Sequence, residues 1–304
     1  MNKIHSFLSD KSKRFLYLSY LGFYDRVDDK SFIEKKFRAL LGYEPDLDHP
    51  VTFNEKINWL KLNYRKTEFT SEVDKYEVKK YVEQKLGSEF IIPNYGVWDR
   101  FDDIDFDSLP ESFVLKCTHD SGSRVICRNK ADLDMKAART RLEKVLEHDY
   151  YKLNREWPYK DVRHRILAEM FLDNHGKALN DYRFYCFNGQ PKFFSIDLEV
   201  NSSCRVNFYD PELKILPFGV AEEPPLFDAE VKMPSNIDRM LEIAKVLSQD
   251  HPFLRVDLYN VDGKIYFSEL TFFSYGGFMG FCPDRSWDGK IGAYLDLPEA
   301  PVKP

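Results

Sequence analysis

The sequence contains few cysteines, and their spacing provides neither a disulfide framework nor a zinc site. There are five of them, an odd number, and no pair forms a Cys-x-x-Cys motif. Small secreted domains that depend on disulfides are much richer in cysteine. The pattern therefore favours a reducing compartment, and we expect a cytoplasmic protein. The cysteines are Cys117, Cys127, Cys186, Cys204 and Cys282.

An excess of basic residues is also lacking. Lysine and arginine number 44 against 50 aspartates and glutamates, which gives a formal net charge of −6. Proteins that bind nucleic acid need a positive surface to neutralise the phosphates. We therefore expect no nucleic-acid partner, and an anionic small molecule would need a local cluster of cations.

Long hydrophobic runs are absent as well. The only segment resembling a targeting signal is the apolar and aromatic run from Arg14 to Tyr24, which follows Lys11 and Lys13. A transmembrane helix needs about 20 apolar residues, and no small-residue cleavage pattern follows this run. We expect no transmembrane segment and predict a buried helix here, with peripheral contact at the inner face of a membrane as the alternative.

The common nucleotide-binding and hydrolase motifs are missing too. The sequence has no Gly-x-x-x-x-Gly-Lys-Ser/Thr loop and no Gly-x-Gly-x-x-Gly after a strand, which excludes a Walker-type site and a dinucleotide fingerprint. His-Glu-x-x-His and Gly-x-Ser-x-Gly are likewise absent.

The elements that are present indicate a mixed fold. With 304 residues, the chain can form one large or two modest domains with a real core. Thr52 and Glu55 predict a capping box at the start of a helix. From Ile91 onward, short strands and hairpins are mixed with helices at 132–148 and 236–249. Helices mixed with antiparallel hairpins, rather than regular βα alternation, predict an α+β fold.

A predicted hairpin near the C-terminus carries two carboxylates, Asp257 and Glu269. Residues 253–259 alternate in period two, the dipeptide Asp262-Gly263 supplies a turn, and a second strand follows. Carboxylates on neighbouring strands can hold a hard cation such as Mg²⁺ if they share one face. Otherwise they are charges on a solvated hairpin face.

The register of this hairpin decides between those outcomes. With a two-residue turn, Val261 would pair with Lys264 and the carboxylates would point to opposite faces. With a three-residue loop and Gly263 at positive φ, Arg255 would lie opposite Glu269 and Asp257 diagonal to it, on one face. We predict the second arrangement and a shared Mg²⁺ site.

A second pattern suits phosphate binding. Lys116 ends a predicted strand, a small-residue loop with Ser121 and Gly122 follows, and residues 125–127 return as a strand. Backbone N–H groups of such a loop can fold over phosphates while the strand lysine supplies a point charge.

Asp-x-Asp triplets leave a glycosyltransferase as an alternative, because this motif binds sugar-nucleotide diphosphates through a metal. None of the triplets follows a clear apolar strand, and an acidic chain produces them easily. They begin at Asp46, Asp103, Asp105 and Asp132.

Taken in order, the motifs resemble those of an ATP-grasp enzyme. They are Asp-Lys75-Tyr-Glu-Val-Lys79, Lys116 before the Gly122 loop, Leu167-Ala-Glu169-Met-Phe-Leu172, Asp181-Tyr-Arg183 and Arg255-Val-Asp257 with Glu269. More narrowly, the chain from about Phe32 to about Gly292 resembles the TupA-like ATP-grasp family, whose members sit in bacterial surface-polysaccharide pathways. The resemblance implies an ATP-grasp fold, in which two α+β lobes clamp ATP. It also implies a helical region 1–73 and an ATP-grasp domain 74–304, with a nucleotide lobe at about 91–170 and a catalytic and metal lobe at about 171–295.

The resemblance also implies roles in binding the nucleotide. Lys75 and Lys116 are similar to the two lysines that contact phosphates. Glu169 resembles the hinge acid that accepts the adenine amino group, with the Leu172 backbone as the second adenine contact. The remaining residues assigned to the nucleotide are Ser121, Gly122, Asp181 and Arg183, although Arg183 could instead be a structural partner of Asp181.

The catalytic centre follows in the same way. Asp257 and Glu269 resemble the metal ligands, and Thr271 stands where many ATP-grasp enzymes have asparagine, so it would be a weaker neutral ligand. Arg255 resembles the arginine that steadies charge on the transferred phosphoryl group. Arg205, in a predicted loop between strands, resembles a mobile cation that closes over the phosphates.

The implied reaction is an amide synthesis that uses ATP and Mg²⁺. A carboxylate attacks the γ-phosphate to give an acyl phosphate, and an amine then displaces phosphate. The expected partners are a uronic or related sugar acid, small or glycan-linked, and an amino acid. We expect residues 275–278 and 283–287 to form walls of the acceptor pocket. A degenerate ATP-grasp binding protein is a further alternative, and the sequence predicts no oligomeric state.

Overall fold

The computed structural model describes residues 10–200, 203–221 and 223–299. The α-helices are α1 (Lys11–Tyr20), α2 (Asp29–Leu41), α3 (Phe53–Asn63), α4 (Phe69–Val73), α5 (Val78–Leu86), α6 (Met135–Leu146), α7 (Tyr151–Asn154), α8 (Ile237–Ser248) and α9 (Trp287–Gly292). The strands are β1 (Asn94–Trp98), β2 (Phe113–Cys117), β3 (Arg124–Cys127), β4 (Ile166–Met170), β5 (Asp181–Phe187), β6 (Gln190–Val200), β7 (Ser203–Tyr209), β8 (Gly219–Val220), β9 (Phe253–Val261), β10 (Lys264–Thr271) and β11 (Phe281–Cys282).

Two antiparallel sheets organise the described chain. The first has the strand order β1-β4-β2-β3, and the second has the order β10-β9-β5-β6-β7. Helix α6 packs on β2 of the first sheet, and α8 packs on β5, β6 and β9 of the second. The sheets fall within the two lobes predicted at about 91–170 and 171–295, whose boundaries stay predictions. Each sheet has one face covered by a helix, which leaves the other face available to line a cleft.

Helix α8 illustrates why the main core forms where it does. Its buried residues recur at helical spacing and pack in one cluster with the apolar side chains of the second sheet. The amphipathic helix predicted at 236–249 is therefore confirmed. Helix α3 begins with the predicted capping box, since Thr52 and Glu55 each accept from the other's backbone N–H.

The carboxylate hairpin is confirmed, but the predicted reason for its register is wrong. The turn has two residues, Asp262 and Gly263, both at positive φ (51° and 81°), and Val261 pairs with Lys264. A β-bulge between Phe267 and Glu269 then shifts the pairing by one residue. Glu269 consequently lies directly opposite Asp257, and directly opposite residues share a face. The extra residue sits inside the strand and not in the turn.

The prediction of a buried helix at Arg14 to Tyr24 is only partly correct. Helix α1 forms, but Phe15 is its one buried residue, and Tyr20, Leu21 and Phe23 are exposed. Successive residues of a helix point in different directions. A continuous apolar run on a surface helix therefore cannot be buried along its whole length.

The structure bears on the expected lack of a transmembrane segment and on the expected lack of disulfides. Among the described residues, every helix is too short or too polar to cross a membrane. Cys117, Cys127 and Cys186 are free thiols, whereas the side chain of Cys204 lies outside the described residues.

Candidate functional site

One face of the second sheet presents a row of charged side chains from adjacent strands. Arg183 of β5 pairs directly with Asp257 of β9, and Asp257 pairs directly with Glu269 of β10. Arg255 lies two residues before Asp257 and faces the same way. The alternation of the strands therefore places two carboxylates and two guanidinium groups side by side.

Arg255 is the centre of an ion-pair network. Its Nε and Nη2 donate to the two oxygens of Asp257 at 2.8 and 2.6 Å. Nη2 also donates to Oε1 of Glu269 at 3.3 Å. Both carboxylates thus converge on one nitrogen atom, and a fixed cation lies between them.

Arg183 extends the network toward β6. It donates to both oxygens of Asp197 at 2.7 and 2.5 Å, and its Nη2 reaches Asp181 at 3.4 Å. Its Nε lies 3.9 Å from Asp257. Arg183 therefore does contact Asp181, as the structural alternative for this residue requires. Its shorter hydrogen bonds, however, go to Asp197.

The two carboxylates differ in their proton affinity. Burial raises the pKa of Asp257 to about 7, and Arg255 offsets only part of that effect. Burial also acts to raise the pKa of Glu269, but Lys75, Arg255 and Lys116 outweigh it and hold that pKa below its ordinary value. Asp257 is therefore the carboxylate that gains most from an additional cation.

Facing this row, the first sheet supplies a buried acid between two lysines. Glu169 of β4 lies 2.7 Å from the Lys116 ammonium and 2.6 Å from that of Lys79. Burial acts to lower the pKa of Lys116, but Glu169, Tyr259 and Glu269 together outweigh it and raise that pKa. Burial likewise acts to raise the pKa of Glu169, and the two lysines reverse this effect. Glu169, which was predicted to accept a hydrogen bond from the adenine amino group, thus forms ion pairs with two lysines in the protein without nucleotide.

The predicted phosphate loop lies close to Lys75. The Lys75 ammonium donates to the carbonyl of Asp120 and lies 4.0 Å from Glu269. Asp120 and Ser123 are buried and hold each other by hydrogen bonds, whereas Ser121 and Gly122 are exposed. Gly122 has a φ of 92° and open space where a Cβ would stand. The loop is therefore anchored at both ends and free at its tip.

Two adjoining cavities gather nearly all the predicted site residues. A cavity of about 650 Å³ is lined by Lys75, Lys116, Ser121, Gly122, Asp181, Arg183, Arg255, Asp257, Glu269 and Thr271. A smaller one of about 260 Å³, lined by Glu169 and Leu172 among others, shares Lys116, Arg124, Asp181 and Tyr259 with it. The smaller cavity has a mixed lining in which apolar side chains could contact a base, and the larger has mainly polar and charged walls suited to phosphates. The role of each residue stays a prediction.

Arg205 is the one predicted site residue that does not line either of these two cavities in the described part of the chain. It lies in strand β7 and not in a loop between strands, so that part of the prediction is wrong. Its guanidinium donates to the Pro224 carbonyl at 2.6 Å and pairs with Glu223 at 2.9 Å. The pattern of polar residues between the strands could not distinguish a loop from the start of an edge strand.

The expected acceptor walls are only partly in position. Tyr275 and Gly276 line the larger cavity, and a Cβ on Gly276 would stand 2.5 Å from the Asn154 side chain. Residues 283–287 do not line it in the described part of the chain.

The oxygen donors fit Mg²⁺ that arrives with a nucleotide. Asp257, Glu269 and Thr271 line one cavity, but the described residues contain no metal-binding group of three or more His, Cys, Asp or Glu side chains. Mg²⁺ is commonly held by one or two carboxylates together with substrate phosphates and water. The donor set therefore suits an ion bound jointly with a triphosphate.

The Asp-x-Asp triplets have local roles. Asp46 and Asp105 accept from backbone N–H groups two and three residues later, and Asp134 caps α6. Asp103 pairs with Arg100 at 2.9 Å. These aspartates stabilise turns and a helix end outside the larger cavity.

Several cavity residues were missed by the sequence analysis. Tyr150, Asn154, Glu156 and Tyr159 come from α7 and the turn after it, and Asp197 comes from β6. No motif marks them, because their position depends on tertiary packing. Alternation did offer a signal for Asp197, since it follows a run of apolar residues in a predicted strand.

Replacing Lys116 with methionine tests the phosphate role. We expect Lys116→Met to weaken ATP binding by about 10-fold or more, because a charge-assisted hydrogen bond contributes about 1.5–3 kcal/mol. Lys79→Met is the matched control, since it breaks the other ion pair of Glu169 without lining either cavity. Calorimetric titration with ATP and Mg²⁺ measures both. Equal losses of affinity in the two variants would contradict a direct role for Lys116.

Sequence comparison identifies a family. Residues 55–296 match the profile of the family described as TupA-like ATPgrasp. This match confirms the predicted ATP-grasp fold and agrees with the α+β architecture. No curated protein matches the chain.

Solved structures show distant likeness only. The ADP complex of N5-carboxyaminoimidazole ribonucleotide synthetase is 15% identical, over 66% of this chain and 45% of that chain, with a TM-score of 0.39. D-alanine–D-alanine ligase from Helicobacter pylori is 13% identical over 80% and 69%, with a TM-score of 0.40. L-amino acid ligase from Bacillus licheniformis is 13% identical over 86% and 55%, also with a TM-score of 0.40. The chain thus spans about half to two thirds of these proteins, and such likeness carries no argument about activity.

Proposed function

The chain belongs to the TupA-like ATP-grasp family, and from this premise we propose that it is an ATP-dependent ligase that joins a carboxylate to an amine. The observation that carries the proposal is the meeting of Lys75 and Lys116 with Asp257, Glu269 and Arg255 around one cavity. These groups come from both sheets and from distant parts of the chain. Cations for phosphates and carboxylates for Mg²⁺ are the requirements of phosphoryl transfer.

In the first step, a substrate carboxylate attacks the γ-phosphorus of ATP. The new bond joins the carboxylate oxygen to phosphorus, and the bond to the β-phosphate oxygen breaks with its electron pair leaving on ADP. Lys75 and Lys116 offset the charge of the phosphates, and Arg255 donates to the oxygens of the transferring group. Mg²⁺ bound at Asp257 and Glu269 would supply Lewis-acid stabilisation of those oxygens.

In the second step, an amine attacks the acyl phosphate and phosphate leaves. For this step to compete with hydrolysis, the cavity would have to exclude water from the acyl phosphate. We propose a uronic or related sugar acid as the carboxylate and an amino acid as the amine, which rests on the polysaccharide context of the family. A cytoplasmic location, with peripheral membrane contact through the exposed Tyr20, Leu21 and Phe23, belongs to the same proposal.

Hydroxylamine trapping tests the reaction class. With ATP, Mg²⁺ and a sugar acid, the acyl phosphate should react with hydroxylamine to give a hydroxamate even when no amine substrate is present. The acids to test are glucuronic and galacturonic acid, free and UDP-linked, with ADP release measured in parallel. Omitting Mg²⁺ should abolish both signals.

The alternative function, a glycosyltransferase, forms no acyl phosphate and would therefore give no hydroxamate. A complete absence of hydroxamate over the panel, together with thermal stabilisation by UDP-sugars and not by ATP, would overturn the ligase proposal. ATP binding without ADP release for any acid and amino acid would instead indicate a degenerate ATP-grasp binding protein.

A further inference from the structure

Glu156 is a buried carboxylate that lines the larger cavity and has no assigned role. Its exposed fraction is 4%, and it comes from the turn that follows α7. The Asn154 amide donates to its Oε1 at 3.1 Å. Among the described residues, no lysine, arginine or histidine nitrogen lies within the 4.0 Å of an ion pair. Buried acids are usually paired with a cation, so Glu156 has unused capacity for one.

The other buried acids around the cavities differ from Glu156 in this respect. Asp257 is paired with Arg255 at 2.6 Å, and Glu169 is paired with Lys116 at 2.7 Å. Both are already engaged by fixed cations of the protein. Among the buried carboxylates of the described cavity lining, Glu156 therefore remains to bind a cation of the substrate.

The buried Lys61 and the partly buried Lys36 stand behind Glu156 without facing the cavity. Lys61 donates to the carbonyls of Asn154 and Gly276 at 2.8 and 2.6 Å, and Lys36 donates to the Leu153 carbonyl at 2.6 Å. Neither lines the larger cavity in the described part of the chain. Burial lowers the pKa of Lys61, and the charge of Glu156 offsets only part of that effect. The lysines hold the backbone in position and compensate Glu156 incompletely.

The segment that carries Glu156 is rigidly fixed. Arg155 is buried, adopts a positive φ of 58° and donates to the Tyr24 carbonyl at 2.7 Å. Its guanidinium lies over the Phe32 ring at 4.2 Å. Such strained and tightly bonded backbone keeps the neighbouring carboxylate at one place.

Aromatic rings complete the surroundings of Glu156. Tyr150, Tyr159 and Tyr275 line the same cavity, and the Tyr150 and Tyr159 rings lie 4.7 Å apart. Aromatic faces attract organic cations, and most strongly where water is excluded. A carboxylate beside tyrosines is thus a site for an ammonium group.

The proton affinity of Glu156 suits such a group. Burial raises the pKa of Glu156, and Lys61, Asn154, Lys36 and Arg255 reverse only part of that effect. A carboxylate with a raised pKa is a better proton acceptor near neutral pH than an exposed one.

We infer that Glu156 binds the ammonium group of the amine substrate and accepts a proton from its nitrogen during amide formation, an inference that rests on the proposed function. The ammonium first gives one proton to Glu156, which frees the nitrogen lone pair to form the bond to the acyl carbon. The bond from that carbon to the phosphate oxygen breaks, with its electron pair leaving on phosphate. The second proton lost by nitrogen goes to the departing phosphate, and Glu156 returns the first proton to solvent, so atoms and charge balance.

The test compares two nucleophiles in the variant Glu156→Gln. Hydroxylamine is neutral at neutral pH and needs neither ammonium recognition nor a strong base, whereas an amino acid needs both. We expect Glu156→Gln to reduce amide formation from amino acids by about 10²-fold or more, while hydroxamate formation from the same sugar acid stays at the wild-type rate. Glu156→Asp should restore part of the amide synthesis and should raise KM for the amino acid more than KM for ATP.

A matched control separates this role from loss of a buried acid in general. Glu72 is equally buried, pairs with His251 at 2.8 Å and does not line the cavity, so Glu72→Gln should lower thermal stability without changing the ratio of amide to hydroxamate. Equal losses of both products in Glu156→Gln, or unchanged amide synthesis, would overturn the inference. So would a wild-type protein that forms hydroxamate but no amide with any proteinogenic amino acid. A wild-type protein that forms no hydroxamate contradicts the proposed function itself, which is a separate outcome.

Discussion

Replacing Asp257 with asparagine should reduce turnover by about 10³-fold. The change removes the charge of the carboxylate that lies opposite Glu269 on the sheet face. A Lewis-acid contact with the transferring phosphoryl group is worth several kcal/mol, and each ~1.4 kcal/mol corresponds to a factor of ten in rate. ADP release at saturating ATP, followed over a range of Mg²⁺ concentrations, measures the loss. The Mg²⁺ concentration for half-maximal rate should rise at the same time.

The stability of this variant should change much less than its activity. Arg255 retains Glu269 as a partner at 3.3 Å, so we expect a loss of about 1–3 kcal/mol in the free energy of unfolding. Asp288→Asn is the control, because Asp288 is also buried and accepts from Asn54 at 2.9 Å but lies outside the cavity lining. It should lower stability comparably and leave the Mg²⁺ dependence unchanged. The metal role of Asp257 would be refuted by full activity of Asp257→Asn at ordinary Mg²⁺ concentrations.

The hairpin shows how far the sequence could predict this site. Alternating polarity and the Asp262-Gly263 turn were sufficient to predict two antiparallel strands, but the shared face of the carboxylates was predicted from a three-residue loop that the hairpin does not have. The position of the extra residue was not predictable, because a bulge between Phe267 and Glu269 leaves no mark in the local pattern. What selects it is tertiary packing, since Leu270 must enter the core while Glu269 faces the cleft.

Cavity residues outside the sequence motifs were still harder to predict, because their position depends on tertiary packing. Glu156 follows a helix of a single turn, and no periodicity distinguishes it from a solvated acid. Its position becomes clear only when Lys61 from α3 and Arg155 are seen to hold the adjoining backbone. By contrast, Lys116 and Glu169 lie in regular strands, where order along the chain was enough to propose them.

Replacing Arg255 with alanine should impair the chemical step more than it impairs nucleotide binding. Arg255 lies between the two carboxylates that we propose to bind Mg²⁺, where a fixed cation would stabilise charge that develops only in the transition state. Losing one such contact costs about 10²–10³ in kcat, by analogy with oxyanion-hole donors. We therefore expect hydroxamate formation to fall by that factor while the dissociation constant for ATP changes by less than about tenfold.

The variant also leaves Asp257 buried without its nearest cation, so its effects on folding and on catalysis must be separated. Removing one partner of a buried ion pair costs about 3–5 kcal/mol of stability. Arg165→Ala provides the comparison, because Arg165 is as buried as Arg255, with 12% of each side chain exposed, and pairs with Asp74 at 2.9 Å outside the cavity lining. If both variants lose stability and only Arg255→Ala loses hydroxamate formation, the arginine acts on the reaction. Equal losses of ATP affinity and of hydroxamate formation in Arg255→Ala would mean that Arg255 only holds the nucleotide, and the transition-state role would be wrong.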